Sequence, residues 1–301
     1  MLAVTILGNN SAIPAFDRHP TSQTVQNVDQ VFLIDCGEGT QMQMQRYKIR
    51  HSKINHIFIS HLHGDHYFGL IGLLTSMGLS GRKNDVHLYA TAELRSIIFL
   101  QLYVAQAHLA FELIFHPLDT EGILYEDKNI SVECFHVYHR IPCWGFLFRE
   151  KKIARTIITE NVLKYNIPIT YYKDLQAGAD YIDANNAIVK NDELTLPHQP
   201  GKSYAYCGDT LFNKTVADKV RGVDLLYHES TFLHEMQEKA AQRFHSTTKE
   251  AAMIAKLAGV NKLLLGHFSS RYETLDQFKN EACEVFPNTE LALEGSCYTI
   301  S

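Results

Sequence analysis

The 301-residue sequence has little of several features that would direct its interpretation elsewhere. It contains no apolar run near the roughly 18 residues that a membrane-spanning helix requires, so we expect no membrane partner. Residues 1–8 have no basic residue ahead of their apolar run and do not resemble a signal peptide. The six cysteines stand singly, without a CxxC pair. Together these absences predict free thiols and a cytoplasmic location.

The chain also has no overall excess of positive charge, because 28 basic residues face 33 acidic ones and the formal net charge is −5. This balance counts against a protein that coats nucleic acid broadly. Two stretches depart from it: residues 46–53 hold four basic and no acidic residues, and residues 149–176 hold six basic against three acidic residues. Each stretch alone is most simply a solvated face, but a local basic patch also fits a polyanion that docks at one place.

What the sequence does contain is a dense group of metal-binding side chains. The stretch His61-Leu62-His63-Gly64-Asp65-His66 puts three imidazoles and one carboxylate into six residues. The preceding β-branched and aromatic residues 56–60 predict a buried strand, and an apolar helix is predicted near 66–79. His61 and His63 can point to one side of an extended segment, while Asp65 and His66 lie past a turn. The pattern therefore indicates two adjacent metal ions.

The rest of the chain mixes strand and helix patterns in both halves, which predicts an α/β sandwich with two sheets inside and helices outside. Strands are predicted at 2–7, 23–28, 30–35, 86–90, 112–116, 130–137, 143–149, 203–207, 223–228, 261–266 and near 290–300. Helices are predicted at 39–50, 93–109, 211–220, 231–243, 247–258 and 274–284. Residues 150–200 break this rhythm, and so long a segment without a core-forming pattern is typical of a functional insert.

A two-metal site needs ligands beyond the first cluster, and three candidates directly follow predicted strands. His139 follows the strand that ends near Val137, Asp209 follows strand 203–207, and His267 follows strand 261–266. His136, three residues before His139, competes for the same role. A carboxylate at Asp209 can bridge two cations. Each residue alone is more often structural, but the four-part pattern favours one shared metal site.

This pattern resembles the metallo-β-lactamase fold and, more closely, the short form of the tRNA 3′-processing endonuclease family, tRNase Z. The resemblance implies an αββα sandwich as one domain over 1–301, with a flexible tRNA-binding arm inserted at 150–200. It covers nearly the whole chain. The supporting motifs are DCGEGTQ at 35–41, HRIP at 139–142, PGK at 200–202, GDT at 208–210, HEST at 228–231, HST at 245–247 and HFSSRY at 267–272.

The resemblance implies a ligand set for two zinc ions per subunit. One zinc is held by His61, His63 and His139, the other by Asp65, His66 and His267, and Asp209 bridges them. Neutral imidazoles and carboxylates suit zinc without any thiolate. Asp35, at the end of a predicted strand, is expected to orient a ligand rather than to bind metal.

The resemblance further implies cleavage of the 3′ trailer from precursor tRNA, which leaves a 3′-hydroxyl on the tRNA and a 5′-phosphate on the trailer. Asp65 is expected to act as general base as well as ligand, and His245, polarised by Glu229, to protonate the leaving oxygen. Thr247 and Glu250 fit a capping box, and a helix beginning there favours a bound phosphate. Ser246 and Thr247 are therefore predicted to contact the phosphodiester.

Precursor tRNA and a second copy of the chain are the expected partners, since the resemblance implies a homodimer whose arms grip tRNA for the opposite subunit. Two alternatives remain. One is another phosphodiesterase or an arylsulfatase-like hydrolase of the same fold. The other is a non-catalytic RNA-binding relative, which the complete set of seven candidate ligands disfavours.

Overall fold

The structure is a computed structural model that describes residues 2–151, 154–183, 185–197 and 201–300. Pro200 of the PGK motif lies outside these residues. The chain divides into two compact units, one of Met1–Arg149 with Lys202–Ser301 and one of Glu150–Gly201. In the described ranges, no helix has the length and apolar character that crossing a bilayer would require.

The secondary structure follows the predicted alternation of strands and helices. The strands are β1 (Leu2–Gly8), β2 (Ser22–Asn27), β3 (Gln30–Ile34), β4 (Ile54–Phe58), β5 (Val86–Ala90), β6 (Leu113–Pro117), β7 (Gly122–Glu126), β8 (Ile130–Val137), β9 (Cys143–Glu150), β10 (Thr156–Ile157), β11 (Tyr181–Ile182), β12 (Ile188–Val189), β13 (Thr195–Leu196), β14 (Ser203–Cys207), β15 (Leu225–Glu229), β16 (Lys262–Gly266), β17 (Thr289–Leu291) and β18 (Cys297–Ile300). The α-helices are α1 (Thr40–Arg46), α2 (Gly64–Tyr67), α3 (Leu70–Leu79), α4 (Glu93–Val104), α5 (Thr159–Lys164), α6 (Tyr172–Ala177), α7 (Asn191–Leu194), α8 (Thr215–Lys219), α9 (Gln237–Gln242), α10 (Thr248–Ala258) and α11 (Asp276–Cys283). Short 3₁₀ turns occupy His51–Lys53, Ile169–Tyr171 and His234–Met236.

Two seven-stranded mixed sheets form the larger unit. The first has the order β18-β1-β2-β3-β4-β5-β6, and the second has the order β17-β16-β15-β14-β9-β8-β7. In the first sheet β3, β4, β5 and β6 run parallel, and in the second β14, β15, β16 and β17 run parallel. Because the carboxyl ends of parallel strands meet at one edge, each sheet collects its strand-end loops on one rim.

Three apolar layers hold this unit together. Leu2, Val4 and Ile6 of the first sheet pack with Phe146 and Tyr204 of the second, so one core lies between the sheets. The outer face of the first sheet packs against α1, α3 and α4, and that of the second packs against α8, α10 and α11. Strands buried on both faces explain the continuous apolar runs in the sequence. The predicted αββα sandwich is confirmed.

Several helices are shorter than predicted, and the backbone explains where they end. The helix predicted at 39–50 stops at Arg46, since Lys48 adopts a left-handed φ of 58°. The helix predicted at 66–79 divides into α2 and α3 around Gly69. A Cβ on Gly69 would lie 2.2 Å from the Gly37 carbonyl oxygen, so this close backbone approach requires glycine. β7 was not predicted from the sequence.

The smaller unit, Glu150–Gly201, has a core of its own. Val162, Ile167, Leu175 and Leu194 are buried together, and two short strand pairs, β10 with β13 and β11 with β12, complete the unit. The expectation that this segment has no core-forming residues is therefore wrong. The four apolar side chains are spaced too irregularly for a helical or strand period to reveal them. The flexibility of this segment and its role as a tRNA-binding arm stay predictions.

Candidate metal centre

The candidate ligands all lie just beyond strands of the two sheets, Asp65 and His66 in the short helix α2 and the others on loops. His61, His63, Asp65 and His66 follow β4, and His139 follows β8. Asp209 follows β14, and His267 follows β16 with a left-handed φ of 60°. The sandwich thus brings strand ends from both sheets together. The candidate ligands converge in two groups that could hold a metal ion, and a third such group joins Asp209 and His267 with His245.

The first group consists of His61, His63, His139 and Asp209. The Nε2 atom of His61 lies 2.9 Å from Nδ1 of His63, and Nε2 of His139 lies 3.1 Å from that same Nδ1. His136 is not in the group, because its ring stacks on Trp144 with a centroid distance of 3.9 Å. The open choice between the two histidines therefore falls to His139.

The second group consists of Asp65, His66 and His267. The Oδ2 atom of Asp65 lies 3.5 Å from Nε2 of His66 and 3.4 Å from Nε2 of His267. The same Oδ2 atom accepts a hydrogen bond of 2.8 Å from the backbone N–H of Ala12. Asp65 is thus fixed from two sides while its carboxylate faces the centre.

Asp209 stands between the two groups and presents one oxygen to each. Its Oδ2 atom lies 3.5 Å from Nε2 of His61 and 3.9 Å from Nε2 of His139. Its Oδ1 atom lies 3.4 Å from Nε2 of His66 and 3.1 Å from Nε2 of His267. A carboxylate with one oxygen toward each group could contact a cation in both.

The remaining ring nitrogens of the histidines are held by other groups. The Nδ1 atom of His66 binds Asp35 at 2.7 Å, that of His139 binds the Phe244 carbonyl at 2.9 Å, and that of His267 binds the Thr231 hydroxyl at 2.9 Å. Such contacts fix the ring and its tautomer and leave Nε2 for a metal ion. The contact that the predicted role of Asp35 requires, with the ring of a candidate ligand, is present. The roles of Thr231 and Phe244 were not foreseen.

The donor atoms fit a metal ion on two physical grounds. First, Nε2 of His66 and Oδ1 of Asp209 are buried without a hydrogen-bond partner, which is costly unless another group satisfies them. Second, nitrogen and carboxylate oxygen donors without thiolate are a set that zinc accepts. The chain thus has the side chains of a metal-dependent enzyme.

The charge states of these groups favour cation binding. Burial lowers the pKa of His61 well below its ordinary value, and burial together with His139 lowers the pKa of His63 to about 4. Burial alone would raise the pKa of Asp209, but the facing histidines hold it well below its ordinary value. The pKa of His66 is raised despite burial, because three carboxylates surround it. A proton on His66 therefore balances charge that a metal ion would also balance.

His245 and Glu229 form a hydrogen-bonded pair beside the two groups. Oε1 of Glu229, which is fully buried, lies 2.9 Å from Nδ1 of His245 and also accepts the backbone N–H groups of Ser246 and Thr210. Burial lowers the pKa of His245, but the carboxylate of Glu229 outweighs this effect and raises it to about 9. The Glu229 carboxylate thus favours the protonated imidazole and holds His245 in one orientation.

Ser246 and Thr247 occupy different surroundings from those predicted. Both are fully buried. The Ser246 hydroxyl donates to the Thr210 carbonyl at 2.7 Å, and the Thr247 hydroxyl is engaged in the capping box with Glu250. The capping box is confirmed, and both hydroxyls that were expected to bind phosphate already have partners, Thr247 in the box and Ser246 at the Thr210 carbonyl. The contacts in the structure do not support the prediction that these residues touch the phosphodiester.

A cavity of about 550 Å³ opens over the metal groups. His63, Asp65, His139, Asp209, His245 and His267 line it. Four cationic side chains also line it: Arg140, Lys239, Arg243 and Arg271. These cations were not recognised as a group in the sequence, because they are far apart along the chain. Their charge suits an anionic substrate above the metal groups.

The chain is similar over its whole length to curated ribonucleases. It is 42% identical over 297 residues to Ribonuclease Z of Bacteroides fragilis, with 98% of each protein covered. It is 42% identical over 301 residues to Ribonuclease Z of Cytophaga hutchinsonii, with 98% of this chain and 95% of that protein covered. The chain belongs to the ribonuclease Z family.

Solved structures agree with this assignment. The short form of human tRNase Z is 26% identical, with a TM-score of 0.73 and 99% of each chain covered. The metallo-beta-lactamase fold protein YhfI from Bacillus subtilis is 18% identical, with a TM-score of 0.70, and it shows the shared fold alone. A protein-family model described as "Anti-Pycsar protein Apyc1" matches residues 2–164. That match includes His61 to His139 but not Asp209, Glu229, His245 or His267, which the ribonuclease Z relatives span.

Proposed function

We propose that this chain is a zinc-dependent endoribonuclease that removes the 3′ trailer from precursor tRNA and leaves a 3′-hydroxyl on the tRNA and a 5′-phosphate on the trailer. As a member of the ribonuclease Z family, it is a metal-dependent hydrolytic endoribonuclease of tRNA 3′ processing. The observation that carries the zinc-dependent mechanism is Asp209, whose two oxygens face two separate histidine groups. One bridging carboxylate between two ligand sets favours a two-metal reaction at phosphorus.

The proposed ligands are those that the geometry brings together. His61, His63 and His139 would hold one zinc ion, Asp65, His66 and His267 the other, and Asp209 would contact both. When bound, the ions supply Lewis acidity, which makes a water molecule more acidic and neutralises charge on the phosphate.

Metal removal tests this assignment. We expect the protein to bind two zinc ions per chain and the chelated protein to lose cleavage of precursor tRNA, with recovery as zinc is returned. Metal content is measured by inductively coupled plasma mass spectrometry across the titration. Recovery that is complete at one ion per chain would contradict a two-metal reaction.

Asp65 is the proposed general base. Its Oδ2 atom faces both His66 and His267 and accepts the Ala12 N–H group, and the side chain lines the cavity over the metal groups. Burial raises the pKa of Asp65, but His66 and His267 outweigh this effect and lower it, so the carboxylate is ionised, as a base must be before it accepts a proton.

His245 is the proposed proton donor to the leaving 3′-oxygen, and Glu229 is its positioning partner. The ring of His245 lines the cavity and stacks on that of His267 with a centroid distance of 5.4 Å. Glu229 keeps the imidazole protonated and fixes its Nδ1 side, so the other side of the ring is free to face the leaving group. An alkoxide is a poor leaving group and requires this proton.

The loss of activity in a His245→Ala variant should therefore depend on the leaving group of the substrate. We expect kcat for precursor tRNA to fall by about 10²- to 10⁴-fold, the range for lost general acid catalysis. Hydrolysis of bis(p-nitrophenyl) phosphate should change little, because p-nitrophenolate leaves without a proton. The matched variant is His234→Ala, which alters a neighbouring histidine outside the metal groups. Equal losses on both substrates would show that His245 supports the metal site instead.

The proposal includes a homodimer and a cytoplasmic location. Leu79 at the end of α3 and Tyr103 and Val104 at the end of α4 are 86%, 81% and 70% exposed, and such exposed apolar side chains support a contact with a second copy. All six cysteines are free thiols, which supports a reducing compartment.

A further inference from the structure

Three cationic side chains, Lys239, Arg243 and Arg271, line the cavity. Lys239 and Arg243 precede His245 closely in the chain, and Arg271 follows His267. They come from two different segments, so their convergence is produced by the fold. Arg140 also lines the cavity, but its Nε atom donates to Nε2 of His63 at 3.2 Å and so supports a ligand.

The backbone fixes where these cations stand. Lys239 lies in α9, and the N–H group of Arg243 donates to the Lys239 carbonyl at 3.1 Å, which ends the helix. The fully buried Ala240 anchors the helix, and its carbonyl accepts the N–H group of His245 at 2.9 Å. The N–H group of Arg271 donates to the Ser269 hydroxyl at 3.4 Å in the turn after His267. The backbone segments that position His245 and His267 therefore also position these three cations.

The charge of this group is not neutralised within the protein. Within the described ranges, none of the three side chains forms an ion pair with a carboxylate, whereas Lys249, Lys262 and Lys219 each do. Burial, Arg271 and Arg243 together lower the pKa of Lys239. The Nζ atom of Lys239 lies 5.9 Å from the centre of the Phe232 ring. Unpaired cations that repel one another at the edge of a cavity are typical of an anion-binding site.

We propose that Lys239, Arg243 and Arg271 bind one backbone phosphate of the RNA, the phosphate one nucleotide to the 5′ side of the scissile bond. The inference rests on the proposed function. The leaving 3′-oxygen belongs to the nucleotide on the 5′ side, and His245 is its proton donor. In an in-line displacement the attacking water stands on the opposite side of the phosphorus. Cations that flank His245 therefore face the 5′ nucleotide and its own phosphate.

The test combines a triple variant with substrates that lack one charge. The variant is Lys239→Gln with Arg243→Gln and Arg271→Gln, and the matched control is Lys256→Gln on the exposed face of α10. Precursor tRNAs carry a neutral methylphosphonate at the phosphate on the 5′ side or on the 3′ side of the scissile bond. Metal content and melting temperature show that the triple variant is folded and loaded.

For the unmodified substrate we expect the triple variant to raise KM by about tenfold with a small change in kcat. The slope of log affinity against log salt concentration should be shallower by about 0.7 for the triple variant, which is the contribution of one phosphate contact on a single strand. The 5′-side methylphosphonate should cost the wild-type enzyme about tenfold in KM and the triple variant no further loss. The 3′-side methylphosphonate should affect both proteins equally.

An unchanged KM and salt slope in the triple variant would overturn the inference while leaving the proposed function intact. The inference would also be overturned if the 3′-side methylphosphonate raised KM for the wild-type enzyme but not for the triple variant, since the cations would then hold the trailer. Failure of the proposed function would look different, because the wild-type enzyme would not cleave the unmodified precursor at all, and the inference would fall with it.

Discussion

An Asp65→Asn variant is expected to lose at least about 10³-fold in kcat for precursor tRNA, within the range that a lost general base accounts for. Asparagine keeps the size of the side chain but cannot accept a proton from water. It also weakens one of the two proposed metal sites, because a carboxylate faces His66 and His267 at 3.5 and 3.4 Å. Two functions are therefore lost with one charge.

Single-turnover cleavage with saturating enzyme measures this loss apart from substrate binding. The matched control is Asp119→Asn, an exposed aspartate on the loop after β6. Metal content separates the two functions of Asp65: a variant that keeps two zinc ions and is still inactive identifies the missing base. Activity within about tenfold of wild type, with metal bound, would contradict the role of Asp65 as general base.

The hydrogen bond to Asp65 also accounts for an unusual backbone conformation at Ala12. The N–H group of Ala12 reaches Oδ2 of Asp65 at 2.8 Å, and Ala12 has a left-handed φ of 41°. Such backbone conformations cost energy and persist where neighbouring contacts hold them. Here the hydrogen bond fixes the rotation of the carboxylate, which a base that must face water requires.

The convergence of the proposed ligands was predictable from the sequence because each one follows an apolar strand. A strand end is recognisable without knowing its neighbours, and strands of one sandwich collect their ends on a shared rim. Asp209 shows how far this reasoning extends. Its position after β14 is evident from the sequence, but the direction of each carboxylate oxygen toward a different histidine group depends on the three-dimensional fold.

The residues that sequence reasoning missed are those that act through distant contacts. Thr231 supports His267 across 36 residues, and the Phe244 carbonyl supports His139 across 105 residues. No local pattern identifies such pairs. At Thr247 a local pattern did identify the capping box, and the hydroxyl that was predicted to contact the phosphate donates to Glu250 in that box.

Removal of residues 151–200, with Asn-Gly in their place, should separate the two classes of substrate. We expect kcat/KM for precursor tRNA to fall by at least about 100-fold, because the predicted arm carries basic charge that phosphate contacts use. Hydrolysis of bis(p-nitrophenyl) phosphate should stay within about threefold of wild type, because small substrates need only the metal groups and the cavity. Equal retention of both activities would contradict a tRNA-binding role for the segment.

The deletion is structurally reasonable at both ends. A Cβ on Gly201 would lie 1.9 Å from the Glu150 carbonyl oxygen, so the chain leaves and returns at nearly the same point. β9 and β14 pair as antiparallel neighbours with Arg149 opposite Ser203, and a short Asn-Gly linker can join such strands. The four side chains of the segment's own core are removed together, so the deletion leaves none of them exposed.

Mixing the deletion protein with the Asp65→Asn protein tests whether the arm serves the opposite subunit. Neither protein cleaves precursor tRNA efficiently alone. In a mixed dimer the Asp65→Asn subunit lends its arm to the intact site of its partner, so random exchange should restore about a quarter of the wild-type rate. Sedimentation velocity verifies that the dimers form and exchange. No recovery in exchanged dimers would mean that each arm serves its own site, because each mixed dimer would then pair an armless site with an inactive one.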